Sequence, residues 1–341
     1  MKYIRVLPIS MGDNRLKTNS NLKLIRPIPF GERPGSEPYN ASEIIALADS
    51  RFLFCDNNIN DALFELRLTK DGDMACPLIK RHINGIEPDA IDDIEGIEFF
   101  KIAGRNFLIA TSSFSLKQRK RLRRKKDKRG KLTPARESLL RIVIDENEEL
   151  QAEIIPNFRS WLIENTLELR EAARYLPDDG GLNVEALSWD PNQHALLFGV
   201  RTPVIDGKPL IIRVKSKKFT GPWELDNFEV LPPLKLSIDN EDGDVGIRAM
   251  TLDQSSGITL ITTGNSTSSS NAPFKLYSWD GNRRGEVRYF NEVKFHKRMK
   301  VEGVTRGKIS GRGAVVFVDD GGGYQLIWED DPRLASTTPV K

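Results

Sequence analysis

Apolar residues alternate with polar ones along most of this chain, in short runs bounded by turn residues, which is the pattern of half-buried β-strands. The runs come in groups of four. The first group is Ser42–Ala48, Arg51–Cys55, Ala62–Leu68 and Ala75–Ile83, and the second is Ile94–Phe100, Asn106–Ala110, Leu139–Ile144 and Leu150–Ile155. A third runs Val184–Trp189, Ala195–Val200, Leu210–Val214 and Trp223–Val230. A fourth runs Ile247–Leu252, Gly257–Thr262, Phe274–Trp279 and Val287–Phe295. The fifth has only Val301–Thr305, Ala314–Val318 and Tyr324–Trp328, while Leu22–Ile28 is a spare strand near the N-terminus. One missing and one spare strand are what a ring closed by its own N-terminus requires, and closure removes exposed sheet edges. The pattern predicts an all-β fold: a single β-propeller over residues 20–332, followed by a polar tail at 333–341. Five blades are expected, or six if Met1–Ser10 and an insertion hide another.

Two segments break the rhythm. Residues 157–175 place Phe158, Trp161, Leu162, Leu169, Ala172 and Ala173 on a helical apolar face, so one inserted helix is expected there, stopped by Pro177-Asp178-Asp179-Gly180-Gly181. Residues 114–138 form an inserted loop whose core, Lys117–Arg136, holds twelve basic residues and one acid. Asn265–Asn271 is a shorter, serine-rich loop.

Each group opens alike, and four of the five openings carry a glutamate at the same place. The equivalent residues are Glu43, Glu95, Glu185, Arg248 and Glu302. In a propeller the first strand of each blade lines the central channel, and the second runs back beside it. These five side chains should therefore gather at one mouth of the channel. Asp56, Ser112, Arg201, Asn265 and Asp320, at the ends of the second strands, should ring them, with the basic loop, the serine-rich loop and the helix crowning the same face. Four carboxylates and one guanidinium leave a formal charge of −3, and crowded like charges must protonate or bind a cation. Oxygen-rich sites with several carboxylates suit hard cations, so Ca²⁺ or Mg²⁺ bound at this ring is one expectation. Such an ion would fix a phosphate or activate water. The other expectation is structural: the glutamates cap strand backbones around a wet tunnel, and Arg248 ties two of them together. Glu98, Asp92 and Asp93 read as surface acids.

Composition narrows the classes. The net charge of +3 hides a split, because the basic run alone carries +11 and leaves −8 on the rest. Such a run suits an acidic protein partner or nucleic acid, yet it lacks the interleaved aromatics of a single-strand stacking platform. No apolar run approaches the length of a spanning helix, and MKYIRVLPISMGDNR has no secretion-signal core, so a cytoplasmic protein is expected. Cys55 and Cys76 make no metal pattern, and neither do His82, His194 and His296. Gly321-Gly322-Gly323 reads as a hairpin turn, not a phosphate loop, and no serine elbow is present. The five tryptophans read as packing residues.

At Glu95-Gly96-Ile97 and Glu302-Gly303-Val304 the chain resembles bacterial propellers of the esterase-like phytase kind, and more closely an uncharacterised bacterial family of that broader group. Glu185-Ala186-Leu187-Ser188-Trp189-Asp190, with Ala195–Arg201 behind it, carries the same look. The resemblance implies a propeller whose channel carboxylates, Glu95, Glu185 and Glu302, hold a ligand or a metal. The chain departs from that pattern at Arg248, where an acid is expected, and at Glu43, followed by Ile44-Ile45 rather than Gly-Ile. Three functions follow as expectations: binding of a small or anionic ligand at the glutamate-lined mouth, through a divalent cation or without one; metal-dependent phosphoester hydrolysis; and a scaffold that docks a partner through residues 117–136.

Overall fold

A computed structural model describes residues 24–31, 38–87, 89–118, 130–238 and 244–340. The fold is an all-β propeller. Among the described residues, five four-stranded antiparallel groups stand around one axis. Their innermost strands are Ala41–Ala48, Ile94–Ile102, Asn183–Asp190, Val245–Asp253 and Val301–Ile309, and each touches the next in cyclic order until the fifth meets the first. The first two groups share one sheet, because their outermost strands Ile79–Asn84 and Leu150–Ile155 pair in parallel.

Side-chain alternation explains the ring. Successive residues of a strand face opposite sides of the sheet. Phe52 and Phe54 therefore pack toward the fifth blade with Val316 and Tyr324, while Leu53 and Cys55 pack toward the second with Leu108 and Ala110. The same division recurs in every blade, so each blade-to-blade interface holds its own apolar cluster. The interface between blades two and three is the most aromatic, with Phe100 stacked on Trp189 at 4.7 Å and Phe219 edge-on to Phe100 at 4.7 Å. No single blade could bury both of its faces alone.

The N-terminal segment closes the ring, but later than Leu22–Ile28 suggests. Ile28–Pro29 pairs with Gly323–Tyr324 of the fifth blade, and Ile25 bridges Phe295. Pro27 and Pro29 lack the N–H needed for a continuous ladder, which splits the pairing into two short contacts. The fourth strand of blade four is also shorter than expected. Only Arg288–Tyr289 pairs, and Thr338–Pro339, within the segment read as a tail, adds on as a fifth strand.

The expected helix over 157–175 is instead a short α-helix, Phe158–Glu164, followed by 3-10 turns at Leu167–Leu169, Ala172–Arg174 and Pro177–Asp179. Thr166 is extended, which ends the helix. Buried Arg159 then ties the folded-back turns together, donating to the carbonyls of Phe114 and Ala173 at 2.6 and 2.8 Å. The apolar spacing was real, but it serves packing of a bent segment. Among the described residues no helix is long and apolar enough to cross a membrane. Residues 1–23, including Met1–Ser10, and 119–129, the middle of the basic run, lie outside the described residues.

Candidate functional site

Each of the five equivalent positions is a β-bulge. In blade two Ile94 pairs with Ser112 and Gly96 with Thr111, leaving Glu95 as the extra residue. Glu43, Glu185, Arg248 and Glu302 are the extra residues of the other four inner strands in the same way. A bulge re-aims its side chain and bends the strand. Repeated at one level, it turns five side chains toward the axis. The small residue after the bulge has a matching cause. A Cβ on Gly303 would meet Glu43 Cα and Ile44 N at 2.8 Å, and one on Gly96 would meet Leu187 N at 2.9 Å. The Glu-Gly opening is thus the signature of a bulge where neighbouring inner strands nearly touch.

Four of the five side chains share one cleft of about 710 Å³ at the mouth: Glu95, Glu185, Arg248 and Glu302. Glu43 does not join them. It is fully buried beneath, accepting backbone N–H groups of Met250 at 3.1 Å, Val304 at 3.3 Å and Ile44 at 3.2 Å. Burial pushes its carboxyl well up, against the pull of those donors. Glu43 thus stitches blades one, four and five together and is not a mouth residue.

The outer ring divides likewise. Arg201, Asn265 and Asp320 line the cleft. Asp56 faces away and caps a turn, accepting from Asn40 N at 3.1 Å and Asn58 N at 2.9 Å. Ser112 donates to the Arg136 carbonyl at 2.9 Å and is not at the cleft. The neighbour Asn57 is the residue that reaches the site. The serine-rich loop contributes Ser268, Ser270 and Asn271 to the rim, and a loop at 295–300 contributes Phe295, His296, Lys297 and Lys300.

Arg248 occupies the place where a bound cation was expected. Its guanidinium grips the Glu302 carboxylate with two nitrogens, Nε donating to Oε2 at 3.0 Å and Nη2 to Oε1. Glu185 Oε2 lies 2.9 Å from the same Nε, at ion-pair range, but that N–H is directed at Glu302. Glu185 Oε1 is taken by Arg201 Nη1 and Asn183 Nδ2, both at 2.7 Å. Two buried polar atoms of the floor therefore have no hydrogen-bond partner: Arg248 Nη1 and Glu185 Oε2. Among the described residues no three His, Cys, Asp or Glu side chains are placed to hold a metal ion. Glu95, Glu185 and Glu302 do not fit a Ca²⁺ or Mg²⁺ ion, because a fixed guanidinium already lies among them.

Glu95 carries a proton, and its hydrogen bonds require it. Ser42 Oγ is 2.5 Å from Asn57 Oδ1 and 2.9 Å from Glu95 Oε2, while Asn57 Nδ2 is 2.9 Å from Glu95 Oε1. Three contacts close a ring that needs three protons. The serine hydroxyl supplies one, and the amide, in either orientation, supplies one. The third belongs to Glu95. Burial and the charges of Asp93, Glu185 and Glu302 push its carboxyl well up, in agreement. Burial also pushes Glu302 up to about 8, with Arg248 pulling it down and Glu185 adding to the rise. The floor is therefore not the anionic ring of −3. Glu95 is neutral, and the two remaining carboxyls face two arginines.

Glu98, read as a surface acid, is buried at the opposite end of the axis, and burial pushes it up to about 7. Asp92 and Asp93 anchor the base of the basic insertion. Arg136 lies 3.0 Å from each carboxylate, and Lys117 is 3.1 Å from Asp92. Lys117–Gln118 pairs with Gly130–Lys131 in a small hairpin.

The crystal structure of the major Malassezia sympodialis allergen Mala s 1 is similar over 85% of this chain and 93% of that one, at 10% identity and a TM-score of 0.41. Myxococcus xanthus glutaminyl cyclase is similar over 90% and 98%, at 13% identity and 0.40. A GH43_1 enzyme from Xanthomonas citri complexed with xylose is similar over 89% and 90%, at 9% identity and 0.43. No curated protein matches the sequence. Residues 174–333, from the end of the helical segment through the fifth blade, match the profile of a family described as a protein of unknown function, DUF3616.

Proposed function

We propose that this propeller binds a small molecule carrying an anionic group in the cleft at the mouth of its axis. One observation carries the reading: Arg248 lines the cleft, is 5% exposed, and holds Nη1 without a partner. A buried charged donor left unpaired costs about 1–3 kcal/mol or more, and an acceptor entering the cleft removes that cost. Charge points the same way. Arg201 and Arg248 face Glu185 and Glu302, the latter a carboxyl itself pushed up to about 8, and Lys300 lies 2.8 Å from Asp320, so the acids do not outweigh the arginines and Lys297 adds positive charge at the rim. The volume suits a small organic molecule.

Phosphoester hydrolysis through a divalent ion has no support in this arrangement, since the carboxylates that would hold the ion are committed to Arg248 and to the Ser42–Asn57 ring. The scaffold reading rests on residues 117–136, of which 119–129 lie outside the described residues, and at the base of that run Lys117 and Arg136 are paired with Asp92 and Asp93.

Thermal unfolding with a panel of small anions tests the proposal. A ligand at a hundred times its Kd stabilises by about 2.7 kcal/mol, which appears as a raised Tm. Arg248→Gln should abolish the shift. Lys297→Ala, an exposed rim change, should weaken it without altering the unliganded Tm. A panel that never moves the Tm, or shifts that survive Arg248→Gln in a folded variant, overturns the reading.

A further inference from the structure

The cleft has two unlike walls and two unlike orphans. Its floor offers a donor with no partner, Arg248 Nη1, and an acceptor with no hydrogen bond, Glu185 Oε2, which lies 2.9 Å from Nε of the same guanidinium. One side is apolar: Pro273, Phe274, Phe295 and Met299, with Phe274 lying 5.8 Å from the Arg248 guanidinium. A simple anion satisfies the first orphan only. It leaves Glu185 Oε2 unpaired and adds negative charge beside Glu185 and Glu302. A simple amine has the reverse fault at Arg248. A polyol could reach both atoms, but neutral hydroxyls compensate buried charges less well than charged partners do. A zwitterion answers both, its carboxylate accepting from Nη1 and its ammonium donating to Oε2, with no change in the net charge of the floor.

Resting on the anion-binding reading above, we infer that the ligand is a free α-amino acid with an apolar side chain, or a small molecule bearing the same amine and carboxylate on one carbon. The two charged groups of such a molecule share one carbon, as the two orphans sit on paired side chains. Its side chain lies against Phe274 and Phe295. The polar rim, including Lys297 and the serine-rich loop, closes over the remaining space. Glu185 is the specificity residue in this scheme, since it alone distinguishes the amino acid from its deaminated analogue. Arg201 and Asn183 act through it as positioning residues, because both hold Oε1 and leave Oε2 without a hydrogen bond.

Titration calorimetry with four probes decides the matter: L-phenylalanine, 3-phenylpropanoate, phenethylamine and inorganic phosphate. The expected order places L-phenylalanine about ten- to a hundredfold tighter than 3-phenylpropanoate, the range a charge-assisted hydrogen bond supplies. Phenethylamine should bind more weakly still, and phosphate weakest. Glu185→Gln should erase the preference for L-phenylalanine over 3-phenylpropanoate, weakening the amino acid and, with one negative charge gone from the floor, tightening 3-phenylpropanoate. If that variant fails to fold, Phe274→Ala serves, and it should lower the affinity for L-phenylalanine while leaving glycine unaffected. Equal binding of L-phenylalanine and 3-phenylpropanoate, or tightest binding of phosphate, overturns the amino-acid inference and leaves an anion site standing. Binding of none of the four removes both.

Discussion

At the end of the axis away from the cleft, Glu98 accepts hydrogen bonds from Leu252 N at 3.1 Å, Phe99 N at 2.9 Å and Ser188 Oγ at 3.0 Å. Asp253 beside it accepts from Ser255 N at 3.0 Å, Ser255 Oγ at 2.7 Å, Ser256 Oγ at 2.5 Å and Arg306 Nη1 at 2.9 Å. The cavity there is about 260 Å³, and its one orphan, Arg306 Nε, still has Glu329 Oε1 at 3.3 Å. The mouth built on the bulges is different. It is larger; Arg248 Nη1 ends without a partner, while Glu185 Oε2 has no hydrogen bond but lies 2.9 Å from Arg248 Nε. Both ends concentrate buried acids and an arginine, so charge does not tell them apart. What separates them is how completely the acids are met. At the far end backbone N–H groups and neighbouring side chains together reach both oxygens of Glu98 and both of Asp253, which makes it scaffold. The near end lies one residue off the ladder, where backbone donors run short, and completes itself with side chains that leave atoms over.

The largest effect that sharpens this contrast is expected at Arg248. Arg248→Met keeps much of the side-chain volume and removes the charge that holds Glu302 and faces Glu185. Breaking a buried pair by deleting one partner typically costs about 3–5 kcal/mol, because the other charge is left uncompensated. Denaturant unfolding should report a loss of that order. The equivalent change at the far end, Arg306→Met, should cost about 1 kcal/mol, since that arginine is partly solvated and Asp253 keeps its serine donors. Equal losses at the two ends would mean that the near-end cluster is no more delicately poised than the far one.

Much of this was legible in the sequence, and the limits have physical causes. Short apolar runs bounded by turn residues reported the strands, and where a strand buries both faces, as Phe52 to Cys55 do, the run is apolar throughout and does not alternate. The repeated glutamate position was legible because the openings share one grammar, and at Gly96 and Gly303 the glycine marks where neighbouring inner strands nearly touch. The sequence could not show that Glu43 sinks below the mouth while Glu95, Glu185 and Glu302 stay at it. That depends on which strand N–H groups approach from the opposite side, here Met250 and Val304. Asp56 and Asn57 show the same limit at one-residue scale. Both are polar and end a strand, and only the turn after Asp56 decides which of them faces the axis. Glu98 looked exposed because a carboxylate usually is; its backbone donors come from two blades, which no local pattern encodes.

Glu98 also makes the next expected effect, in the dependence of stability on pH. Its carboxyl titrates at about 7 in the folded protein against an ordinary 4.5. Between those values the folded chain binds a proton that the unfolded chain has released. Stability from this group is therefore complete below about pH 4.5 and is lost as the pH rises through 7, on the order of 3 kcal/mol in all. Glu98→Gln cannot titrate, so its stability should fall less steeply than that of the parent between pH 5 and 8. Denaturant midpoints measured across that range provide the check, and parallel profiles for the two proteins would show that the far-end carboxyl does not titrate within that window.

The smallest effect is expected at Glu95, and it bears most directly on how the near end is built. Glu95→Gln keeps the shape and swaps a carboxyl O–H for an amide N–H. In the ring with Ser42 and Asn57, the new Nε2 donates to Ser42 Oγ and Oε1 accepts from Asn57 Nδ2, so every bond survives. The change should leave stability at neutral pH within about 0.5 kcal/mol, as for a substitution that breaks no buried partner. At Glu98 the same substitution meets three donors with an amide that has only one acceptor oxygen, and should cost about 1–3 kcal/mol at pH 8. A divalent cation held by Glu95 would reverse the ranking, because an amide is a far poorer ligand than a carboxylate and metal affinity would vanish with it. Unfolding midpoints of the two variants at pH 8, with and without added Ca²⁺, therefore separate a protonated hydrogen-bond ring from a metal site: the ring predicts a silent Glu95→Gln, no response to calcium, and a costly Glu98→Gln.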